Sequence, residues 1–354
     1  MTITRTHRHR RLAVALATAS IATTALLPGT AASASGSGSG AASGSGSGGR
    51  TAGCRAPRRD TTNVVVPIDG HDRTALVHVP ASLDLRHRAP LVLSFHGSGT
   101  TAEFQAGYDG VDAEGDAAGY ISVHPQGLPV DLLGNGSIVL GWDLYNPDTR
   151  DPAFVRALLT QLDSVLCIDS RRVYATGISN GGGMAQLLAC TLTDRIAAIA
   201  PVAALPALPC PGAAPTPTIA FHGRQDLFVP YDGIRAVGLP GVEDVVGAIA
   251  IRNGCSPEPP ARRAVTAHVE RIRWDDCRAQ TVLYRIEQHG HAWPGHSFGL
   301  TETQWKAFFT ANGPPLGGLT IAQAAFSLSL TTNEIDATAL AWQFFRSRGH
   351  ESGA

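Results

Sequence analysis

"RVYATGISNGGGMA", residues 172–185, decides how the rest of the chain is read. Arg172 to Thr176 is a short run containing β-branched and aromatic residues, a strand candidate, and Gly182 to Cys190 is a helix candidate. Between them Gly177, Ser179 and Gly181 spell Gly-x-Ser-x-Gly. On so tight a strand-to-helix turn the central residue has strained backbone angles, and side chains two positions before and after it would collide. The turn lifts the Ser179 hydroxyl clear of the sheet and sets it at a helix N-terminus, where backbone N–H groups face any negative charge developing beside it. Gly-x-Ser-x-Gly also arises by chance in a chain with 39 glycines, so the flanking strand and helix carry the reading.

Serine is a weak nucleophile at neutral pH and needs a base, usually histidine, oriented by a carboxylate. "FHGRQDLFVPY" (residues 221–231) ends a buried strand and places Asp226 in the turn behind it. "YRIEQHGHAWPGH" (residues 284–296) ends another and carries His291. The order Ser179, Asp226, His291 is the Ser-Asp-His order of α/β-hydrolases. Upstream, "SFHGSGT" (residues 94–100) has the form of a His-Gly oxyanion turn, whose Ser98 N–H, with that of Asn180, would hold a tetrahedral oxyanion.

Each residue also has a plainer reading. Asp226 could cap its turn, with Asp232 competing to orient the base. His289, His291 and His296 could form a metal cluster, although no cysteine or carboxylate pattern accompanies them, and the expectation is no metal and no cofactor. His96 and His222 each stand just before a glycine at a strand end and read as hydrogen-bonded structural imidazoles. Trp293 reads equally as core or as a substrate-facing wall, Trp142 and Trp305 are weaker versions of that case, and Asn135-Gly136-Ser137 reads as a turn.

Short apolar runs alternate with helix-length amphipathic stretches from residue 62 onward. "TNVVVPI" and "TALVHVP" read as a strand pair, and "PLVLSFHG", "YISVHPQG", "IAAIAPVA" and "TIAFHG" as buried strands. "DPAFVRALLTQLDSVL" puts Phe154, Leu158, Leu162 and Val165 on one helix face; "NEIDATALAWQFFRSR" does the same for Ile335, Ala339, Trp342 and Phe345, with Asn333 as cap. Continuous apolar strands separated by helices predict an α/β fold: a mostly parallel central sheet covered by helices on both faces, with polar motifs beyond the carboxyl ends of the strands.

"HGSG", "RVYATGISNGGGMA", "FHGRQDLFVPY" and "GHAWPG" together resemble the secreted polyhydroxybutyrate depolymerase and feruloyl esterase (LpqC-like) family of α/β-hydrolases. The resemblance runs from about residue 60 to 347 and includes "TTNEIDATALAWQFF" as a C-terminal helix. It implies a serine ester hydrolase with Ser179 as nucleophile, His291 as base and then acid, Asp226 as orienter, and no cofactor. Its substrates would be hydroxyalkanoate polyesters or aromatic esters of plant cell-wall polysaccharide. Residues 297–330 make a stretch longer than the family pattern, expected to form a lid or pocket wall, and "GWDLYNPDTRDPAF" differs from the family's acidic, cysteine-bearing loop. A serine peptidase on the same fold and a catalytically silent binding protein remain as alternatives.

Composition bounds the partners. The chain has 354 residues, 44% hydrophobic and 16% charged, enough to bury a large core, and a net charge of -1, which gives no electrostatic case for nucleic acid or anionic membrane. Residues 1–34 read as a signal peptide: Arg5, Arg8, Arg10 and Arg11, an apolar run from Leu12 to Leu27, then Ala32-Ser33-Ala34. Residues 35–50 are a Gly/Ser-rich linker, and 51–354 the esterase domain, expected to be secreted and free of membrane after cleavage. Six cysteines in an exported chain predict disulfides, Cys255 with Cys277 first. Oligomeric state is not encoded in any motif.

Overall fold

The structure, a computed structural model, describes residues 62–349 apart from positions 85–86, 133, 135, 137, 147, 208–209, 313–314 and 316–317. The segments expected to be signal peptide and linker, Cys54, and Asn135 and Ser137 of the sequon lie outside the described residues.

The strands are Thr62–Ile68 (β1), His71–His78 (β2), Ala89–Phe95 (β3), Ile121–Pro125 (β4), Leu128–Asp131 (β5), Ile138–Gly141 (β6), Ile168–Ile178 (β7), Ala198–Val202 (β8), Thr218–Gly223 (β9), Ala261–Ala264 (β10), Val269–Trp274 (β11) and Thr281–Ile286 (β12). Ten of them form one sheet in the order β1-β2-β4-β3-β7-β8-β9-β12-β11-β10. From β4 through β12 neighbouring strands run parallel, while β1-β2-β4 and β12-β11-β10 are antiparallel wings. β3, β4, β8 and β9 are buried at every position, as strands covered on both faces must be. Edge strand β10, Ala-Arg-Arg-Ala, is fully exposed, and its charges discourage a further strand from pairing there.

The helices are Ala102–Tyr108 (α1), Val111–Ala118 (α2), Asp151–Val165 (α3), Asn180–Thr191 (α4), Val242–Arg252 (α5), Glu302–Asn312 (α6), Ile321–Ser329 (α7) and Ala337–Phe345 (α8). Alternation along β3 and β7 divides the core. Leu91, Leu93, Phe95, Val173 and Ala175 meet Phe154, Leu158, Met184 and Leu188 of α3 and α4 on one face. Val92 and Tyr174 meet Tyr108, Val111, Ala341 and Phe345 on the other. The doubly covered, mostly parallel sheet is the α/β architecture that the strand pattern predicts.

Two helix faces differ from expectation. Val165 is exposed at the end of α3, where Val155 and Leu159 are buried instead, because the buried stripe follows the 3.6-residue period and has turned to solvent by the last residue. The last helix starts later than expected: Asp336, not Asn333, caps it by accepting from Ala339 N, so Ala337, Thr338, Ala341, Phe344 and Phe345 form the buried face. Disulfides join Cys190 to Cys210 and, as expected, Cys255 to Cys277.

Candidate active site

Ser179 sits at the junction of β7 and α4 with φ 58° and ψ −120°, a conformation that costs a non-glycine residue roughly 1–3 kcal/mol and persists only when its surroundings enforce it. The enforcement is backbone against backbone. A Cβ on Gly177 would stand 2.6 Å from the carbonyl oxygens of both Gly181 and Phe95, and one on Gly181 would stand 2.1 Å from Phe95 O. No side chain fits at either position. Ser179 N donates to Val202 O (2.9 Å) and Ser179 O accepts from Gly183 N (3.0 Å) and Leu205 N (3.0 Å), which pins the turn to β8 and α4.

The 96–99 turn lies directly beside it. A Cβ on Gly97 would be 3.5 Å from Ser179 Cβ. Among the described residues, the backbone N–H groups of Ser98 and Asn180 have no acceptor, while their neighbours do: Gly99 N donates to Leu140 O (2.8 Å) and Thr100 N to Gly97 O (3.3 Å). His96 braces the turn as a neutral ring, donating from Nδ1 to Gly97 O (2.9 Å) and accepting at Nε2 from Gly127 N (2.9 Å). Burial, opposed by the Gly97 hydrogen bond, lowers its pKa to about 4.

The β5–β6 hairpin, which the sequence reading did not separate as an element, ties these pieces together. Asn180 Oδ1 accepts from Trp142 N (2.7 Å) and Asn180 Nδ2 donates to Trp142 O (2.9 Å), closing a two-bond ring between α4 and the strand end. Trp142 Nε1 donates to His96 O (3.0 Å). Behind it, Arg73 and Asp151 form a buried ion pair (2.9 Å) whose other carboxylate oxygen accepts from Asp143 N (2.9 Å).

Asp226 and His291 meet at the same edge of the sheet, on the loops that follow β9 and β12. His291 Nδ1 lies 2.8 Å from Asp226 Oδ2, and both side chains are nearly or wholly buried. Asp226 Oδ1 accepts from Phe228 N (2.9 Å) and Val229 N (2.8 Å), and His222 Nε2 lies 3.3 Å from Oδ2. Burial alone would raise the Asp226 pKa, but the adjacent His291 charge and the hydrogen bonds from His222 and His291 hold it well below the usual carboxylate range. Asp232, the rival carboxylate, is instead an exposed partner of Arg224 (2.6 Å).

The three histidines near this loop face separate partners. His289 accepts from Thr332 N at Nδ1 (3.1 Å) and donates from Nε2 to Ala292 O (3.0 Å), and burial lowers its pKa to about 4 despite the Ala292 bond. His296 faces Asp336 at 3.3 Å. Among the described residues no group of three or more His, Cys, Asp or Glu side chains converges as a metal site would require.

The tryptophan assignments need correcting. Trp142 is 0% and Trp293 1% exposed, so neither presents a wall to a substrate. Each has its indole N–H consumed inside the protein, Trp142 as above and Trp293 on Thr338 Oγ1 (2.9 Å), and a buried indole finds such a partner because leaving its donor unpaired is costly. Trp305 packs at the edge of an aromatic cluster with Phe298 and Phe309. An aromatic ring that does flank His291 is the half-buried Phe228, 4.9 Å between ring centroids from it. Its place two residues after Asp226, in a turn that must fold back toward the histidine, was the available signal.

Comparisons with known proteins extend the picture. No protein-family model matches the chain. A protein of Nocardia uniformis subsp. tsuyamanensis named "Putative esterase NocK" is 28% identical over 306 residues, covering 75% of this chain and 86% of that protein. "Feruloyl esterase B" of Piromyces equi is 29% identical over 203 residues, covering 53% of this chain and 37% of that protein. The crystal structure of a thermostable esterase superposes with a TM-score of 0.50 at 15% identity, covering 82% of this chain and 63% of that one, a likeness of fold.

Proposed function

We propose that the chain is a secreted serine carboxyl-ester hydrolase that cleaves feruloyl-type esters through an acyl-enzyme intermediate. The observation that carries this is the buried Asp226–His291 hydrogen bond of 2.8 Å at the sheet edge where Ser179 stands on its strained turn. The naming of two sequence relatives as esterases supports ester over peptide chemistry.

In this reading Ser179 Oγ attacks the ester carbonyl while His291 Nε2 takes its proton, and Asp226 holds the ring with Nδ1–H toward it and offsets the imidazolium charge. The oxyanion forms toward the Ser98 and Asn180 N–H groups, which have no acceptor among the described residues, and the N-terminus of α4 adds its positive end. His291 returns the proton to the leaving alcohol, and water repeats the sequence on the acyl-enzyme. Phe228 lines the approach to His291 and offers an aromatic face to the substrate. No step calls for a cofactor or a metal.

The remaining assignments follow the same reading: a signal peptide over residues 1–34, a linker over 35–50 and one hydrolase domain over 51–354. Secretion is supported by the N-terminal pattern and by the Cys190–Cys210 and Cys255–Cys277 cross-links, which suit an oxidising compartment. The partner is a small or polymeric ester, not nucleic acid or membrane.

The test is hydrolysis of methyl ferulate beside a hydroxybutyrate oligomer at matched concentration. Faster ferulate release is the expected result; faster oligomer cleavage would move the substrate class to polyhydroxybutyrate and leave the mechanism in place. Ser179→Ala should lower turnover on the order of 10⁶-fold and abolish labelling by a fluorophosphonate. A variant that keeps more than about a tenth of the activity would remove Ser179 from the nucleophile role.

A further inference from the structure

Residues 297–330 stand out as the longest departure from the motif pattern, and the expectation for them is a lid or pocket wall. In the structure they contain α6 and α7, and α7 does something more specific. A capping box starts it: Thr320 Oγ1 accepts from Gln323 N (3.2 Å) and Gln323 Oε1 accepts from Thr320 N (2.9 Å). From that start Ala324, Ala325 and Ser327 are carried inward, all 0% exposed.

Ser327 touches both loops of the acid–base pair. Its Oγ accepts from Leu227 N (3.1 Å), the residue after Asp226, and from His291 N (3.2 Å). Its carbonyl also accepts from His291 N at 2.7 Å. A serine hydroxyl has two lone pairs, and both are directed at these N–H groups. The chain beyond α7 continues the seam: Leu330 O accepts from Gly290 N (2.9 Å) and Thr332 O from Gly295 N (2.9 Å). The approach is so close that a Cβ on Gly290 would fall 2.1 Å from Ser327 O. The two loops also meet directly, Gln225 N donating to His289 O (3.0 Å), a contact on the other side of Asp226 from Leu227.

We propose that Ser327 is a positioning residue: through its hydroxyl, α7 clamps the loop carrying Asp226 to the loop carrying His291 and so sets the geometry of their hydrogen bond. The role of the pair itself rests on the function proposed above. Residues 297–330 are thus part of the frame of the site as well as of its surroundings.

The test uses the full-length protein with p-nitrophenyl acetate, an ester that probes the chemistry independently of the natural substrate. Ser327→Ala removes the hydroxyl acceptor, and with it the bond to Leu227 N, while keeping the helix and the carbonyl that accepts from His291 N. The expected result is a fall in kcat of about 10- to 100-fold with KM within about twofold, since misplacing a catalytic group by a fraction of an ångström costs rate and not ground-state binding. The low-field proton resonance of the His291 Nδ1–H should shift or broaden in the same variant, while Ser327→Thr, which keeps the oxygen, restores both. Ser327→Cys is the second variant should the alanine protein fail to melt cooperatively, because its sulfur fills the space of the hydroxyl but accepts an N–H only weakly. A folded Ser327→Ala or Ser327→Cys protein with wild-type kcat and an unchanged resonance would overturn the proposal. If the wild-type protein hydrolyses no ester, the function proposed above falls, and the resonance alone then decides the clamp: shifted in the variant, it stands; unchanged, it does not.

Discussion

Ser179, Asp226 and His291 all stand beyond the carboxyl ends of parallel strands, β7, β9 and β12, but are held there by different means. Around Ser179 the restraint is backbone on backbone at distances only glycine allows, all within one strand-turn-helix unit and the strands beside it. Around Asp226 and His291 the restraint arrives from far away in the chain: Ser327 lies 100 residues from Leu227 and 36 from His291. A local device is rigid because there is no space to move. A distant one is only as rigid as the helix that delivers it, here α7, in which Phe326, the residue before Ser327, is 40% exposed.

The largest expected effect on the distant side comes from Asp226→Asn. The amide can still accept from Phe228 and Val229 N–H at Oδ1, so the turn survives, but its NH₂ then faces His291 Nδ1. The ring is driven to the tautomer with its proton on Nε2, which cannot accept from Ser179. Turnover should fall about 10⁴-fold with little change in melting temperature. Retention of turnover within tenfold would mean that the loops, and not the carboxylate, orient the base.

Both sides share one device, a buried neutral histidine with both nitrogens used: His96 beside the Ser179 turn and His289 on the loop that carries His291. Burial lowers each from the ordinary 6.5 to about 4, so between those values the unfolded chain takes up protons that the folded chain refuses. Their contribution to stability is therefore complete above about pH 6.5 and is lost as the pH falls toward 4, on the order of 3 kcal/mol for each ring. Asp226, lowered from 3.8, adds acid sensitivity only below that window, and His124, raised by its Asp112 hydrogen bond against the effect of burial, acts with the opposite sign. Urea midpoints of wild type, His96→Gln and His289→Gln across the window isolate each ring. A wild-type midpoint that falls no more steeply toward pH 4 than that of His96→Gln or His289→Gln would show that the replaced ring is charged in the folded state.

What was legible in the sequence follows the same division. The turn around Ser179 could be read because its constraints are local: Gly177 and Gly181 are spaced by the geometry of a single turn, and a buried parallel strand shows as an apolar run. The meeting of Asp226 with His291 was readable from chain order, since both follow strands that end at one edge of the sheet. The roles of Ser327 and Gly290 were not, because a serine at the end of an apolar helix and a glycine between two histidines carry no mark of what lies opposite them. The tryptophans misled for a related reason. Nearness in sequence to the base said nothing about which way Trp293 turns, and Tyr108 and Thr338, which fix its backbone N–H and its indole, lie 185 and 45 residues away.

Asn180 is where the local device itself depends on a more distant element. Its backbone N–H has no acceptor among the described residues, while its side chain is spent on both backbone groups of Trp142, at the end of a hairpin whose Leu140 carbonyl holds Gly99 N (2.8 Å). Asn180→Ala keeps the N–H but leaves the Trp142 N–H and carbonyl buried and unpaired, so the hairpin end loosens and the Ser98 donor drifts relative to the Asn180 donor. Removing an oxyanion donor outright costs on the order of 10²- to 10³-fold, and blurring the spacing between two should cost about tenfold in kcat with KM unchanged. A trifluoromethyl ketone, which becomes an oxyanion only when Ser179 adds to it, should bind more weakly by the same factor. If kcat and ketone affinity both stay at wild-type values, the glycine-packed turn alone fixes the oxyanion donors, and the contrast between the two sides of the site is sharper than the hydrogen bonds imply.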